Sequence, residues 1–469
     1  MTDIYGVISI GSKALLAQQK GIYVTGNNIA NVNTPGYTRQ RLNLSSDVPV
    51  HTTVGAMGTG VTAVNVERVY QRFLGVQINN ETQARGNWEA KKDMLDRVEM
   101  IFDESGGYGL NQAMSEFWTA WQDLTNNPSG PVERSVLIAK SEILAETFSK
   151  NSQDLLTVQQ DIDSMLEGSV DEINLLSEKI VHLNQKIIQM ESGGDTANDY
   201  RDQRDLLLNE LSELIDIESF ENSAGGVTVS VGSGQPLVEG TNAYRLSTRT
   251  NALGNQNIVW IDAANNTVDI TDSIAGGKVK GWLDVRDLDI RNALNRLDTL
   301  AQNLMDEVNS LHAGGYGLDG STGNDYFSST ATAPALNMQV NPSLVSDTRL
   351  IAAAQSFDTV PGDKPGDNSN AIAIANLKSA RIMNGNTAAF DAYYESFVGD
   401  LGYAVQQAGA YYDHQSEMVH QLENYRESIS GVSVDEEMVN LVKYQNAYQA
   451  AAKLITTADE MMQSVLNMI

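Results

Sequence analysis

The sequence predicts an elongated, mainly α-helical protein with an inserted β-rich domain and with helices at its two ends that pair. Three observations carry this reading. Ile8, Leu15, Ile22 and Ile29 recur every seven residues, and Val434, Met438, Leu441, Gln445, Tyr448, Ala452, Ile455, Asp459, Met462, Leu466 and Ile469 recur at alternating steps of four and three. A second heptad pattern runs through Ile162, Leu166, Ile173, Leu176, Ile180, Leu183, Ile187 and Met190, with Ser169 its weak member. Between the helical stretches, Val227, Val229 and Val231 alternate among Gly and Asn, the pattern of short strands.

Each element follows in order. Ser9 precedes an apolar-periodic run and is the expected cap of a first helix ending near Asn31. Asn33, Thr34, Pro35, Gly36 and Tyr37 then stop that helix and turn the chain, Pro35 forcing Thr34 out of helical geometry. Patches of alternation (Val61, Ala63, Val64, Val66) suggest short strands between 38 and 73. Helical patterning returns from 73 to 104 and from 110 to 124. A loop at Asn126 to Pro131 precedes a longer run that holds the heptads of 162 to 190, and a shorter helix follows from 199 to 215. The chain becomes β-rich from 219 to 281 and helical again from 283 to 311. A Gly- and Ser-rich loop spans 314 to 329, a mixed piece 336 to 368, and helix dominates from 371 to 430.

The expected division is a terminal helix over 1–36 pairing with another over 434–469. A helical rod is built from 37–218 and 371–433. A β-rich outer domain covers 219–282, and 283–370 supplies a return helix and a mixed connecting region. Such a path runs out along a rod, makes a distal domain and returns, so helices distant in sequence pack side by side.

Composition narrows the function classes. Sixty acidic residues against 31 basic ones give a formal charge of −29, which repels phosphate backbones and argues against nucleic acid as a partner. There is no cysteine, so thiolate catalysis and disulfides are excluded. No apolar run is long enough to insert in a membrane. The opening MTDIYGVISI has no basic lead-in and is too short for a secretory signal, so export, if it occurs, is expected without a cleaved leader. His414, Glu417 and His420 are spaced H-x-x-E-x-x-H, which puts the histidines about 120° off a common helix face and reads as solvated surface rather than metal site. Asp284, Asp287 and Asp289, or Asp319 and Asp325, do not follow a calcium-loop pattern. With no nucleophile–base arrangement and no P-loop, the chain reads as structural, with no enzyme activity, cofactor or metal expected.

The terminal seams are interrupted by Gly11, Gln18 and Thr25 on one side and by Gln445 and Asp459 on the other. Such interruptions weaken an apolar seam and set its register, as a device against early, indiscriminate association. In a free subunit these ends are expected to fray and to order on assembly.

The residues at both ends resemble those of the bacterial flagellar axial proteins. Asn28-Ile29-Ala30-Asn31-Val32-Asn33-Thr34-Pro35-Gly36-Tyr37 is similar to the signature shared by rod, hook and hook-associated proteins, and Thr38-Arg39-Gln40 narrows the likeness to the hook-associated protein 1 family. Ser430-Gly431-Val432-Ser433-Val434-Asp435-Glu436-Glu437 and the stretch from Met438 to Met462 resemble that family's other end. The resemblance implies a structural junction protein between hook and filament, self-assembled as a ring or short helical tube. Its implied partners are the hook protein, a second junction protein, and a cytoplasmic export chaperone on the C-terminal helix. It also implies secretion by the flagellar type III machine and terminal helices lining an inner tube. Ile8, Leu15, Ile22, Ile29, Met438, Leu441, Tyr448, Ala452, Ile455, Met462, Leu466 and Ile469 are then the assembly seam, and Asn33 to Tyr37 the turn between layers. Another axial protein (hook or distal rod subunit) is the nearest alternative, and an extracellular adhesin a more distant one.

Overall fold

The computed structural model describes residues 2–52, 55–104, 106–107, 109–329, 332–356 and 366–467. Helix α1 (Thr2–Ala30) opens the chain. It begins well before Ser9, which lies inside it, so Ser9 is not its cap; nothing between Thr2 and Ser9 breaks a helix except the tolerated Gly6. An arm of strands follows: β1 (Gln40–Ser46), β2 (Val50–Thr52), β3 (Gly55–Met57) and β4 (Val61–Arg68). β1 pairs antiparallel with β4 across a bulge between Asn43 and Leu44, and β2 pairs with β3.

The rod begins with α2 (Arg72–Ile101), α3 (Leu110–Asn126), α4 (Pro131–Ser192) and α5 (Asn198–Leu214). α4 is one helix of 62 residues, so the heptad run from Ile162 is only its second half. Pro131 sits at its first turn, where a missing N–H costs nothing. Its sole interior glycine, Gly168, faces open space and leaves the helix intact.

The β-rich insert has two sheets. β5 (Ile217–Glu221), β6 (Val227–Val231), β7 (Gln235–Glu239) and β8 (Asn242–Ala243) form an antiparallel meander. β9 (Arg245–Thr250), β10 (Gln256–Ile261) and β11 (Thr267–Asp269) form the second sheet. The insert ends sooner than the sequence suggests, because α6 (Gly277–Asp284) already packs on α2. A π-helical stretch, Val285–Ile290, joins α6 to α7 (Arg291–Gly314). Short pieces follow: β12 (Phe327–Ser328), β13 (Gln339–Val340), α8 (Pro342–Ser346), α9 (Ser369–Asn376) and α10 (Met383–Asn386). Then α11 (Phe390–Ser430) returns along α2, and α12 (Val434–Leu466) ends the chain.

Packing explains why this topology holds. Phe117, Trp118 and Trp121 of α3 are buried with Phe148, Tyr326, Phe327 and Phe390. The 314–329 loop is fastened from its far end, since Tyr326 and Phe327 are buried and the Tyr326 hydroxyl meets Ser141 Oγ at 2.7 Å. Asparagines tie helices to extended backbone. Asn174 Nδ2 donates to Leu246 O while its Oδ1 accepts from Leu246 N, so one amide imitates a strand partner. Asn184 Nδ2 donates to Val227 O and Gly240 O, and its Oδ1 accepts from Val227 N and Arg204. Buried Arg134 clamps the start of α4 by donating to carbonyls of Pro128, Thr348 and Ile351. Without a carboxylate in contact, burial pushes its guanidinium down to about 10.

Candidate functional site: the junction of the terminal helices

α1 and α12 lie antiparallel. Gly11 faces Ile455, Gly21 faces the ring of Tyr444, and Asn28 reaches Glu437, which fixes the register over the length of the pair. A Cβ on Gly21 would stand 2.8 Å from that ring, so the absence of a side chain allows the approach.

The residues that meet most closely are the small and polar ones. Gly11, Ala17, Gly21, Val24, Thr25 and Asn28 are buried on α1, as are Glu437, Ala451 and Ala458 on α12. The apolar stripes flank this line. Ile8, Leu15, Ile22 and Ile29 are half-buried, as are Leu441, Ala452, Ile455 and Met462. Met438 is 49 % exposed, Leu466 61 %, and Tyr448 is exposed too. Gly11 and Thr25 therefore carry the contact rather than interrupt it, whereas Gln445 and Asp459 face solvent. Ile469 lies outside the described residues.

At the end of α1 the chain turns and is locked by hydrogen bonds. Asn33, Thr34 and Pro35 are exposed; Gly36 adopts φ +75°, a conformation that favours glycine. Thr34 N donates to Asn31 O at 2.9 Å and Tyr37 N to Thr34 O at 3.2 Å. This turn aims Tyr37 back at α1, where its hydroxyl donates to Asn28 Oδ1 at 2.8 Å and accepts from Asn27 Nδ2 at 3.3 Å. Burial, then the carboxylates of Asp199, Asp202 and Glu437, push the Tyr37 hydroxyl well above its ordinary range, so it stays protonated.

Asn28 is the hub. Its Oδ1 also accepts from Gln40 N at 3.0 Å, and its Nδ2 donates to Gln40 O at 2.9 Å and to Glu437 at 3.0 Å. All four hydrogen-bonding positions of the amide are filled.

Thr38, Arg39 and Gln40 reach three different elements. Thr38 donates from N (2.9 Å) and Oγ1 (2.7 Å) to the Asp202 carboxylate of α5, which also receives Arg68 at 2.9 Å. Arg39 N donates to Ser430 O at 2.8 Å while its guanidinium pairs with Glu436 at 2.6 Å, and Gln40 Nε2 donates to Asp199 at 2.6 Å. Burial raises the Asp202 carboxyl above its usual range despite Thr38 and Arg68, whose donated bonds pull the other way.

Asn28, Asp199, Asp202, Arg68, Glu436 and Glu437 were not singled out as interacting by sequence reasoning. The polar triplet directly after a glycine turn was the available signal. The arrangement positions the elements it joins: the Asn28 amide is fully used, and the Thr38 hydroxyl is held by the Asp202 carboxylate. His414 and His420 are both exposed on α11, and among the described residues no cluster of three or more His, Cys, Asp or Glu is placed to hold a metal ion.

Comparison with known proteins decides the family. Residues 95–327 match the model of the flagellar hook-associated protein FlgK helical domain. Residues 8–38 match a flagella basal body rod protein model, and 424–468 the C-terminal model of the flagellar basal body rod FlgEFG proteins. Flagellar hook-associated protein 1 of Bacillus subtilis is 31 % identical, over 100 % of this chain and 99 % of its own length. The chain belongs to the flagellar hook-associated protein 1 family. The Salmonella typhimurium member is 25 % identical over 98 % of this chain and 99 % of its own. A solved structure, titled as the flagellar hook junction protein FlgK from Burkholderia pseudomallei, aligns with a TM-score of 0.69 at 17 % identity. It covers 76 % of this chain and 100 % of that one, and shows that the fold is shared. The two end segments with rod-protein likeness are those that pair in this hook-associated protein, as α1 and α12.

Proposed function

We propose that the protein assembles as a ring or short helical tube on the distal end of the flagellar hook and joins it, through a second junction protein, to the filament. The observation that supports this most is the apolar flank left open on the paired terminal helices, where Met438, Tyr448 and Leu466 lie exposed beside the closed Gly11–Ile455 and Gly21–Tyr444 line. Stripes of this kind on both helices suit packing against the same pair of neighbouring copies. At about 25 cal/mol per Å² of apolar surface, their burial offsets the entropy of ordering the ends.

In this reading the helix pair (1–36 with 434–469) lines the inner tube and the rod (37–218 with 371–433) forms the layer around it. The insert (219–282) faces solvent, with 283–370 connecting. The Asn33–Tyr37 turn carries the chain between layers, and the Asn28 hub holds their angle. Export proceeds through the flagellar type III channel, with a cytoplasmic chaperone on the C-terminal helix beforehand. The role is structural rather than enzymatic. Deleting the protein tests it: intact hooks without filaments, with filament subunits shed to the medium, are expected. Normal filaments, or labelled protein along the whole hook, would overturn it.

A further inference from the structure

α2 carries an exposed aromatic and basic patch where it begins. Phe73 is 82 % exposed, and beside it Arg72 lies 5.7 Å over the ring of Phe220, itself 66 % exposed. Arg72, Val76 and Arg426 border one cavity together with the 31–38 turn. Neither Arg72 nor Arg426 forms an ion pair among the described residues, although Glu423 and Glu427 border the same cavity. An aromatic this exposed beside unpaired arginines is the composition of a contact surface.

The far end of the same helix is its chemical complement. Met100 is 66 % exposed and shares a shallow groove with Glu99, Asp103, Glu104 and Glu395; no basic residue lines it. On an ideal helix Phe73 and Met100 face about 180° apart around α2 and lie roughly 40 Å apart along it. Complementary patches on opposite sides of one element cannot meet within a subunit. They can meet between subunits, in a heterologous contact that repeats from copy to copy.

We propose that the Arg72–Phe73 patch of one copy docks on the Glu99–Met100 groove of a second copy of this chain. The inference rests on the assembly reading above and names the contact that reading leaves open. Met100 packs on Phe73 and Phe220, while Arg72 and Arg426 meet Glu99 and Glu395. The axial offset makes the array a helical turn unless each copy tilts.

The chain has no cysteine, so engineered thiols report without background. Full-length Phe73→Cys and Met100→Cys proteins are mixed on isolated hooks bearing no junction protein and oxidised with copper phenanthroline. A disulfide-linked Phe73→Cys/Met100→Cys dimer is expected, with none from Phe73→Cys alone. Adding Arg72→Glu and Arg426→Glu to the first partner should lower the yield about tenfold, and Glu99→Arg with Glu395→Arg in the second should restore it. Protein decorating hook tips without this dimer overturns the contact while leaving the assembly reading intact. So does crosslinking of Phe73→Cys to itself or to the hook protein, or a charge reversal without restoration. Protein that never decorates hooks overturns both. The unreversed cysteine pair carries the test if the charge variants fail to fold.

Discussion

The Nδ2 of Asn28 donates at 3.0 Å to the carboxylate of Glu437, 409 positions later in the chain, and both side chains are buried. One hydrogen bond thus ties the end of the first helix to the start of the last. Asn28→Ala would also orphan Gln40 N and the Tyr37 hydroxyl, at a cost of about 3 kcal/mol. Hydrogen exchange should show α1 and α12 losing protection while α3 and α4 keep theirs. Uniform loss across the chain, or none, would count against the hub.

Gly21 and Gly26 should respond differently to the same substitution. Alanine favours a helix by about 1 kcal/mol over glycine, yet at position 21 its Cβ would press on the rigid Tyr444 ring at 2.8 Å. Gly21→Ala is expected to loosen the helix pair by about 1–3 kcal/mol. At position 26 nothing lies within 4 Å of the added Cβ, so Gly26→Ala should instead stabilise the helix by about 1 kcal/mol. Thermal melts followed by limited proteolysis of the ends separate the two outcomes.

Asp202→Ala removes the acceptor of Thr38 and one partner of half-buried Arg68, which keeps Asp205. The expected loss is about 3 kcal/mol by denaturant titration. Asp202→Asn, which still accepts one bond, should lose less. Equal losses would show that shape rather than the carboxylate matters.

Acid should weaken the packing around α7 through His312. Its Nδ1 donates to Asn324 O at 2.7 Å and its Nε2 accepts from Ala352 N at 2.9 Å, so the fold requires the neutral ring. Burial pushes its pKa down to about 4 from 6.5. A folded value below the unfolded one means that the unfolded chain takes up the proton first. Stability is therefore complete above pH 6.5 and falls as pH drops toward 4, by about 3 kcal/mol at most. Asp216, pushed up to about 6 by burial, has the opposite sign: its contribution declines as pH rises from 3.8 to 6. Comparing wild type with His312→Gln across this window isolates the histidine. Parallel stability profiles would refute its role.

Leu466→Asp and Ile455→Asp test the open stripe. Leu466 is exposed, so its substitution should leave the melting temperature of the free chain unchanged yet abolish incorporation at hook tips. Ile455 also touches Gly11, so Ile455→Asp should both loosen the helix pair and block incorporation while the rod stays folded. Normal incorporation of either variant would remove the stripe from the assembly scheme.

Long helices, the β-rich insert and the pairing of the ends were legible because periodicity reports burial over many residues. The facing line of α1 and α12 was not, because hydrophobicity ranks isoleucine above glycine, whereas helices approach most closely where side chains are smallest. Gly11 and Thr25 therefore read as interruptions although they form the contact. The Thr38, Arg39 and Gln40 triplet was visible as a motif, but its partners Asp202, Glu436 and Asp199 lie far away in sequence, and spacing carries no information about such pairs. A longer run after Pro131 is legible, but Ser141 and Asn151 sit in the buried stripe of the first half of α4 beside Leu137, Leu144, Phe148 and Leu155, so apolar spacing alone does not mark the full length of the helix.

Because α4 runs unbroken for 62 residues, it couples the Arg134 clamp at one end to the Asn184 clamp near the other. Inserting one residue between them would rotate one clamp by about 100° and shift it by about 1.5 Å relative to its acceptors. Length changes are thus quantised here: the helix can absorb near-whole turns, and other increments must be accommodated in loops. That phase constraint leaves the loops as the places where this chain can take up added residues.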